Sequence, residues 1–256
     1  MLEKFLPPVA SAHGLEIDRV ISLVHLLMFL LFIGWSVYFI VALFKFRSKN
    51  NPQASYEGAH SHFSTAVEVG VILFEAVILL GFSIPFWSKQ VVALPPGNDA
   101  VEVRINAEQF AWNIHYPGPD GHFGKTDWKF FDKQSNPMGL DPKDPAGKDD
   151  VTTINQLHLP VRKTALLYLT SRDVLHSFFL PVMRVKQDVI PGMSIPVWFT
   201  PVKIGQWEIA CAQLCGLGHY RMRGFLTVQS QEEFEKWLKE QAAPSSDNGK
   251  HDDFWN

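Results

Sequence analysis

The sequence predicts a two-helix transmembrane hairpin followed by an all-β domain of the sandwich or barrel class. Three observations carry this. Two long apolar stretches occupy the first third of the chain. The remainder breaks into short runs rich in Val, Ile, Phe and Thr, and Pro, Gly, Asp and Asn separate those runs.

The first stretch, Ile21 to Phe44, contains no Asp, Glu, Lys or Arg. At ~1.5 Å per residue it exceeds the ~30 Å of a bilayer's hydrocarbon core. The second runs from about Val67 to Phe86, with Pro85 and Trp87 near its exit. Met1 to Arg19 lacks an apolar segment of its own, so neither stretch reads as a cleaved secretory signal. Lys45, Arg47 and Lys49 follow the first span directly, which places the connecting loop in the cytoplasm. The chain then divides into an extracytoplasmic segment (1–20), a hairpin (21–90) with its cytoplasmic loop near 45–65, a β domain (97–230) and a C-terminal helix with a polar tail (231–256). The expected location is the cell inner (plasma) membrane, multi-pass, with the C-terminal domain on the periplasmic or extracellular side.

Within the β region examples of such runs are VEVRIN, FAWNIHY, TTINQLHLPV, ALLYLTS, IPVWFTP, QWEIACA and GFLTVQ. An insertion near 117–150, rich in Gly, Pro, Asp and Lys, reads as a long exposed hairpin connection. The run from Gln231 to Gln241 places Phe234, Trp237 and Leu238 on one helical face, and the tail after Ala243 reads as disordered. The composition agrees with a chain partly solvated by lipid: 19% of residues are charged and 13% are aromatic. A net charge of −3 provides no basic field for nucleic acid.

The only two cysteines, Cys211 and Cys215, exclude a multi-disulfide scaffold, and no Cys-x-x-Cys-His motif is present to attach haem. With His219 and Met222 they put two thiols, an imidazole and a thioether within twelve residues. These are donors that copper prefers. A mononuclear blue-copper site needs one Cys, a following His, an axial Met and a distant His, for which His176 is the candidate. The additional thiol allows two bridging sulfurs to hold two coppers, with His176 and His219 each terminating one. The competing reading is a disulfide, which an oxidising compartment permits; His219 and Met222 at this spacing favour copper. Zinc rarely accepts a thioether.

The stretch CAQLCGLGHYRM resembles the copper loop of cytochrome c oxidase subunit II, and DVLHSFFLPVMRVKQDVIPGM resembles that family's segment bearing the upstream His. The resemblance implies a cupredoxin (Greek-key sandwich) domain carrying a binuclear copper A centre. His176, Cys211, Cys215, His219 and Met222 would be its side-chain ligands, and Gln213 would contribute its backbone carbonyl. It further implies that a cytochrome c, or a cytochrome-bearing partner complex, supplies electrons. They would pass to haem in subunit I for oxygen reduction coupled to proton pumping, alongside other oxidase subunits.

Two departures bear on this. Much of the family has Glu where Gln213 stands, and that carboxylate helps bind magnesium at the subunit I interface; a neutral amide is a weaker ligand for a hard cation. In Gln109-Phe-Ala-Trp112, Phe110 replaces the family's surface Trp, so Phe110 and Trp112 are electron-port candidates, expected to point the same way along a strand. By position, both read equally well as core aromatics. Glu68 matches a family glutamate at the cytoplasmic mouth of a proton path, whereas Glu75, seven residues on, has no such counterpart. His25, His60, His62 and His158 read as structural or solvated. Asp173 and Asp188 flank His176, where docking and local hydrogen bonding both remain open. A quinol oxidase subunit II would lack the copper ligands, nitrous oxide reductase would lack the anchor, and a copper-delivery protein would lack the Met and the Gly-rich loop.

Overall fold

The computed structural model describes residues 5–53, 56–57, 62–92, 94–95 and 99–242. The chain forms two compact units, Met1–Phe5 with Leu15–Ala93 and Leu6–Gly14 with Leu94–Asn256. His60 and the tail after Ala242 lie outside the described residues.

In the helical unit, α1 spans Gly14–Lys45. It begins a turn or two before the expected Ile21 because Glu16, Asp18 and Arg19 extend it as a polar first section. None of its most apolar window is buried within the protein, as befits a surface solvated by lipid. Its polar side chains bond to their own helix. Ser22 Oγ donates to the Asp18 carbonyl (2.8 Å) and His25 Nδ1 to that of Ile21 (2.8 Å). The second span runs His62–Trp87. It consists of α2 (His62–Ile78), a π-helical turn (Leu79–Ser83) and α3 (Ile84–Trp87), with another π turn over Ser88–Val92. Pro85 has no N–H for the preceding turn, and the widened segment sits directly upstream of it.

The β unit is a sandwich of two five-stranded sheets. One has the order β3-β2-β1-β5-β8, with β1 at Ala100–Glu108, β2 at Ala111–Tyr116, β3 at Val151–Ile154, β5 at Thr164–Ser171 and β8 at Ile195–Phe199. The other has the order β4-β10-β9-β6-β7, with β4 at Gln156–Pro160, β6 at His176–Leu180, β7 at Val185–Val189, β9 at Gly205–Cys211 and β10 at Arg223–Gln229. Alternating residues meet between them: Val103, Ile105 and Ala107 of β1, Trp112, Ile114 and Tyr116 of β2, Leu167 and Leu169 of β5, Phe178 and Leu180 of β6.

The expected run TTINQLHLPV is two strands in different sheets. Asn155, at φ 60°, makes the corner. Its backbone N–H donates to the Trp112 carbonyl (2.8 Å), its own carbonyl accepts from Phe225 N (2.7 Å), and its side chain accepts from Trp112 N (2.8 Å). Asparagine tolerates the left-handed region and bonds locally there. β7 is not among those runs: the polar sequence VKQDV hides it, and its Val185 and Val189 alone are buried. Phe110 was expected on a strand with Trp112, but β2 starts at Ala111 and Phe110 lies in the preceding turn.

The 117–150 insertion does connect an antiparallel pair, β2 and β3. It is nevertheless packed rather than merely exposed. Asn136 ties it internally, its Nδ2 donating to the carbonyls of Phe130 (3.0 Å) and Leu140 (2.9 Å) while its Oδ1 accepts from Leu140 N (2.9 Å). At its far end the fully buried His115 and Asp150 side chains pair at 2.6 Å. Part of the N-terminal segment is likewise recruited. Ala10 N donates to the Val182 carbonyl (2.8 Å), Val202 N to that of Ala10 (2.7 Å), and Ser11 Oγ to that of Met183 (2.7 Å). Residues on either side of the two spans therefore fold as one unit, which agrees with both ends of the hairpin facing the same side.

Helix α4 (Gln231–Ala242) opens with a capping box: Ser230 Oγ accepts from Glu233 N (3.2 Å) and Glu233 Oε2 accepts from Ser230 N (2.9 Å). Its apolar face is the expected one. Phe234 is buried, and Trp237 stacks on His158 with ring centroids 4.1 Å apart. Burial lowers the His158 pKa, against the opposing bond to Gln229. Removing the Phe234 ring leaves a cavity beside Tyr116, so Phe234→Ala should destabilise the β unit by about 3 kcal/mol in denaturant unfolding of the detergent-solubilised chain.

Candidate metal centre

His176 is the first residue of β6 and Cys211 the last of β9, and these strands pair with Phe178 opposite Cys211. The next strand, β10, pairs antiparallel with β9, Arg223 opposite Ala210, so residues 212–222 form the connection between them. Cys211 N donates to the Met222 carbonyl (3.3 Å) at its neck, and Ala212 N to the Ser177 carbonyl (2.9 Å) ties it to β6. Inside, His219 N donates to the Gly216 carbonyl (3.1 Å) and Met222 N to that of His219 (3.1 Å).

This loop turns its donors inward. The two sulfurs lie 3.8 Å apart, far beyond the ~2.05 Å of a disulfide, so the disulfide reading does not describe the structure. Cys211 Sγ is 3.9 Å from His176 Nδ1 and 3.2 Å from the Gln213 carbonyl oxygen. Cys215 Sγ is 3.6 Å from His219 Nδ1 and 3.7 Å from Met222 Sδ. Each of these separations is less than two metal–thiolate bonds of ~2.3 Å. The donor atoms of His176, Cys211 and Cys215 all lie within 4.8 Å of one another, a group that could hold a metal ion. His176, Cys215 and Met222 are buried, at 0%, 4% and 3% exposure. Two thiols, two imidazoles and a thioether suit copper, and the thioether is a ligand that zinc rarely takes.

In the metal-free site the two thiols differ. Burial opposes ionisation of Cys211, but bonds from His176, Ser177 N and the loop outweigh it and bring its pKa down to about 6. Burial and then the neighbouring Cys211 charge push Cys215 up to about 12. A bound cation would favour the thiolate form of both, so metal uptake is coupled to proton release.

Residues outside the sulfur cluster hold its shape. Asp173 accepts from His176 Nε2 (2.9 Å) through Oδ1 and from Gln109 N (2.7 Å) through Oδ2. That bond leaves Nδ1 of His176 facing the sulfur. Burial works against the Asp173 carboxylate, yet these bonds keep its pKa below the ordinary value. Gln109 Nε2 donates to the Cys215 carbonyl (2.6 Å). Sequence reasoning left Asp173 open and passed over Gln109; the three-residue offset of Asp173 from His176 was the available signal. Asp188 is exposed on β7, opposite Ser177.

Of the two electron-port candidates, Trp112 is a core residue at 0% exposure, its ring edge-on to His176 (6.2 Å) and Phe178 (5.4 Å). Phe110 is half-buried and packs over Gly216 and Gly218; a Cβ at Gly218 would collide with its ring. Gly216, at φ +128°, admits no other residue without strain. Glu68 lies on α2, where it accepts from Ser64 Oγ (3.3 Å).

Two outcomes are expected. In the metal-free chain, Cys211 should react with iodoacetamide with a midpoint near pH 6, reactive above and protected below, while Cys215 stays slow through neutral pH; peptide mapping reads this. Gly218→Ala should weaken copper retention against a chelator by about tenfold or more, and adding Phe110→Ala should restore most of it by removing the clash.

The family profile "Cytochrome C oxidase subunit II, periplasmic domain" matches residues 101–229. The "Alternative cytochrome c oxidase subunit 2" of Bradyrhizobium diazoefficiens is 34% identical over 235 residues, covering 91% of this chain and 83% of that relative. The "Probable cytochrome c oxidase subunit 2" of Rickettsia bellii is 26% identical over 230 residues, covering 87% and 81%. Among solved structures, the periplasmic domain of cytochrome oxidase subunit II (CoxB) of Bradyrhizobium japonicum is 28% identical, with a TM-score of 0.43, over 58% of this chain and 96% of that one. With its two apolar helices, β sandwich and sulfur–imidazole loop, the chain belongs to the cytochrome c oxidase subunit II family, the second subunit of haem–copper oxidases.

Proposed function

We propose that this subunit receives electrons for its oxidase. A cytochrome c donates to a binuclear copper centre held by His176, Cys211, Cys215, His219, Met222 and the Gln213 carbonyl. Haem in subunit I takes the electrons onward for oxygen reduction coupled to proton pumping. The observation that carries the reading is the convergence of two unbridged thiols, 3.8 Å apart, with four further donors on one loop and one neighbouring strand. When bound, such a centre supplies one-electron transfer, with the charge shared over both metals so that little rearrangement accompanies each step.

The protein's own part is to keep that arrangement fixed. Asp173 orients His176, Gln109 anchors the Cys215 carbonyl, and Trp112 with Phe178 seals the inner side against water. Burial of Cys215 and Met222 opposes handing copper to another protein, which argues against a delivery role. No Cys-x-x-Cys-His haem attachment motif occurs in these 256 residues. Phe110, which reaches solvent beside the loop, is the better electron-port candidate; Trp112 would act only from within the core. Glu68 is assigned to the mouth of a proton path at subunit I. Magnesium at that subunit interface would find only the exposed Gln213 amide, a weak ligand, at the position where a carboxylate serves better. The two spans hold the β unit to the outer face of the cell inner membrane.

Copper loading of the full chain in detergent tests the reading. Metal analysis should give two coppers per chain, and electron paramagnetic resonance should show hyperfine structure from two equivalent nuclei. One isolated copper ion, or a colourless protein with a Cys211–Cys215 disulfide, would overturn it.

A further inference from the structure

Where the backbone ladder between β1 and β5 stops, side chains continue it. The register ends with Ala107 opposite Ser171, and Arg172 N donates one more backbone bond to the Ala107 carbonyl (3.0 Å). The next rung is an ion pair, in which Arg172 Nη1 donates to Glu108 Oε2 (2.7 Å). The rung after that joins Gln109 N to Asp173 Oδ2 (2.7 Å). Beyond it the two segments part, and each carries one bond to the metal site. Asp173 Oδ1 accepts from His176 Nε2 (2.9 Å), and Gln109 Nε2 donates to the Cys215 carbonyl (2.6 Å). The Glu108–Arg172 pair thus ties together the residues directly preceding the two that hold an imidazole and a cysteine backbone in place.

The pair is stiff for two reasons. Its side chains are largely withdrawn from water, at 10% exposure for Glu108 and 25% for Arg172, so a carboxylate robbed of its partner would be left poorly hydrated. The planar guanidinium also keeps three partners at once. Nη1 serves Glu108, Nη2 donates to the Pro137 carbonyl, and the face stacks on the Phe131 ring (3.7 Å). Pro137 and Phe131 belong to the insertion between β2 and β3, which therefore braces the guanidinium. An ammonium has no such fork, and a neutral side chain leaves the carboxylate uncompensated. With either partner removed, residues 108–109 and 172–173 lose the link that fixes their spacing. Each segment is one hydrogen bond away from His176 or Cys215, so a shift there reaches the donors directly.

We propose that Glu108 and Arg172 are positioning residues for the metal centre. Acting through Gln109 and Asp173, they set the direction of the His176 imidazole and the place of Cys215, and so the retention and symmetry of the bound copper pair. The inference rests on the proposed copper function and extends the apparatus that shapes it to two residues 64 apart in sequence.

The test uses the full chain in detergent, loaded with copper, and reads both the electron paramagnetic resonance spectrum and the rate of copper loss to excess chelator. Arg172→Gln should speed copper loss about tenfold, the low end of what outer-shell changes do to metal sites. Its hyperfine pattern should lose the equivalence of the two nuclei, because His176 terminates only one of them. Glu108→Gln should show the same spectral change with a smaller rise in release, and the double variant should match Arg172→Gln, since the two act as one unit. Phe234→Ala, which loosens the β unit at a distance, serves as the control and should keep the wild-type spectrum. A wild-type hyperfine pattern in Arg172→Gln and Glu108→Gln overturns the proposal whatever their release rates, because faster loss alone marks a weaker fold. The same spectral change in Phe234→Ala also overturns it. If Arg172→Gln does not fold, Glu108→Gln decides alone, as it keeps the shape and an acceptor for the guanidinium. A wild-type chain without the two-copper signal fails the functional reading itself; a normal wild-type signal with unaltered variants sinks the positioning pair alone.

Discussion

Two sulfur atoms held close without bonding to each other set the terms for the surrounding fold. Left alone in an oxidising compartment, such a pair tends toward a disulfide. Here Cys211 is fixed by the β9 ladder and its bond to the Met222 carbonyl, while the Gly216 turn and Gln109 fix the backbone at Cys215. The result is a spacing of 3.8 Å, suited to a shared metal. The same enclosure favours the thiolate of Cys211 and, through burial and that neighbouring charge, disfavours the thiolate of Cys215.

Around that pair, the sandwich works as a rigid frame whose two sheets serve different ends. The sheet containing β6, β9 and β10 supplies the metal-facing residues, because the β9–β10 connection and the start of β6 meet at one end of its three inner strands. The sheet containing β1, β2 and β5 supports them from behind. Trp112 reaches through the core to His176, and the turn after β1 sends Gln109 to the loop. On the outer face of this second sheet the insertion is fastened by Arg172 and by the buried His115–Asp150 pair. The pairing, with Gly124 N also donating to Asp150 Oδ2 (2.8 Å), offsets the cost of this burial.

Much of this was legible from the residues. Both spans, the sandwich class, the amphipathic face of α4 and the grouping of Cys211, Cys215, His219 and Met222 follow from periodicity and spacing, since these depend on neighbours close in sequence. What was illegible depends on distant neighbours. The sheet switch at Asn155 needs Trp112 and Phe225 in place before its asparagine has meaning. β7 reads as polar because only Val185 and Val189 turn inward. The placement of Phe110 off the strand, and of Trp112 wholly inside, follows from a turn that local alternation does not register. Asp173 and Gln109 act on His176 and Cys215 across the fold, a relation no motif at either position announces.

The short N-terminal segment that edges the sandwich has a biosynthetic consequence. Its partners around Val182 and Val202 are made long after it, with both spans intervening. It must wait for the rest of the domain to be made. The β unit can close only if the hairpin has been threaded so that both flanks arrive in the same compartment, and a misoriented chain leaves the carbonyl of Val182 and the amide of Val202 without their mates. The sandwich is thus completed only from a chain whose two flanks meet.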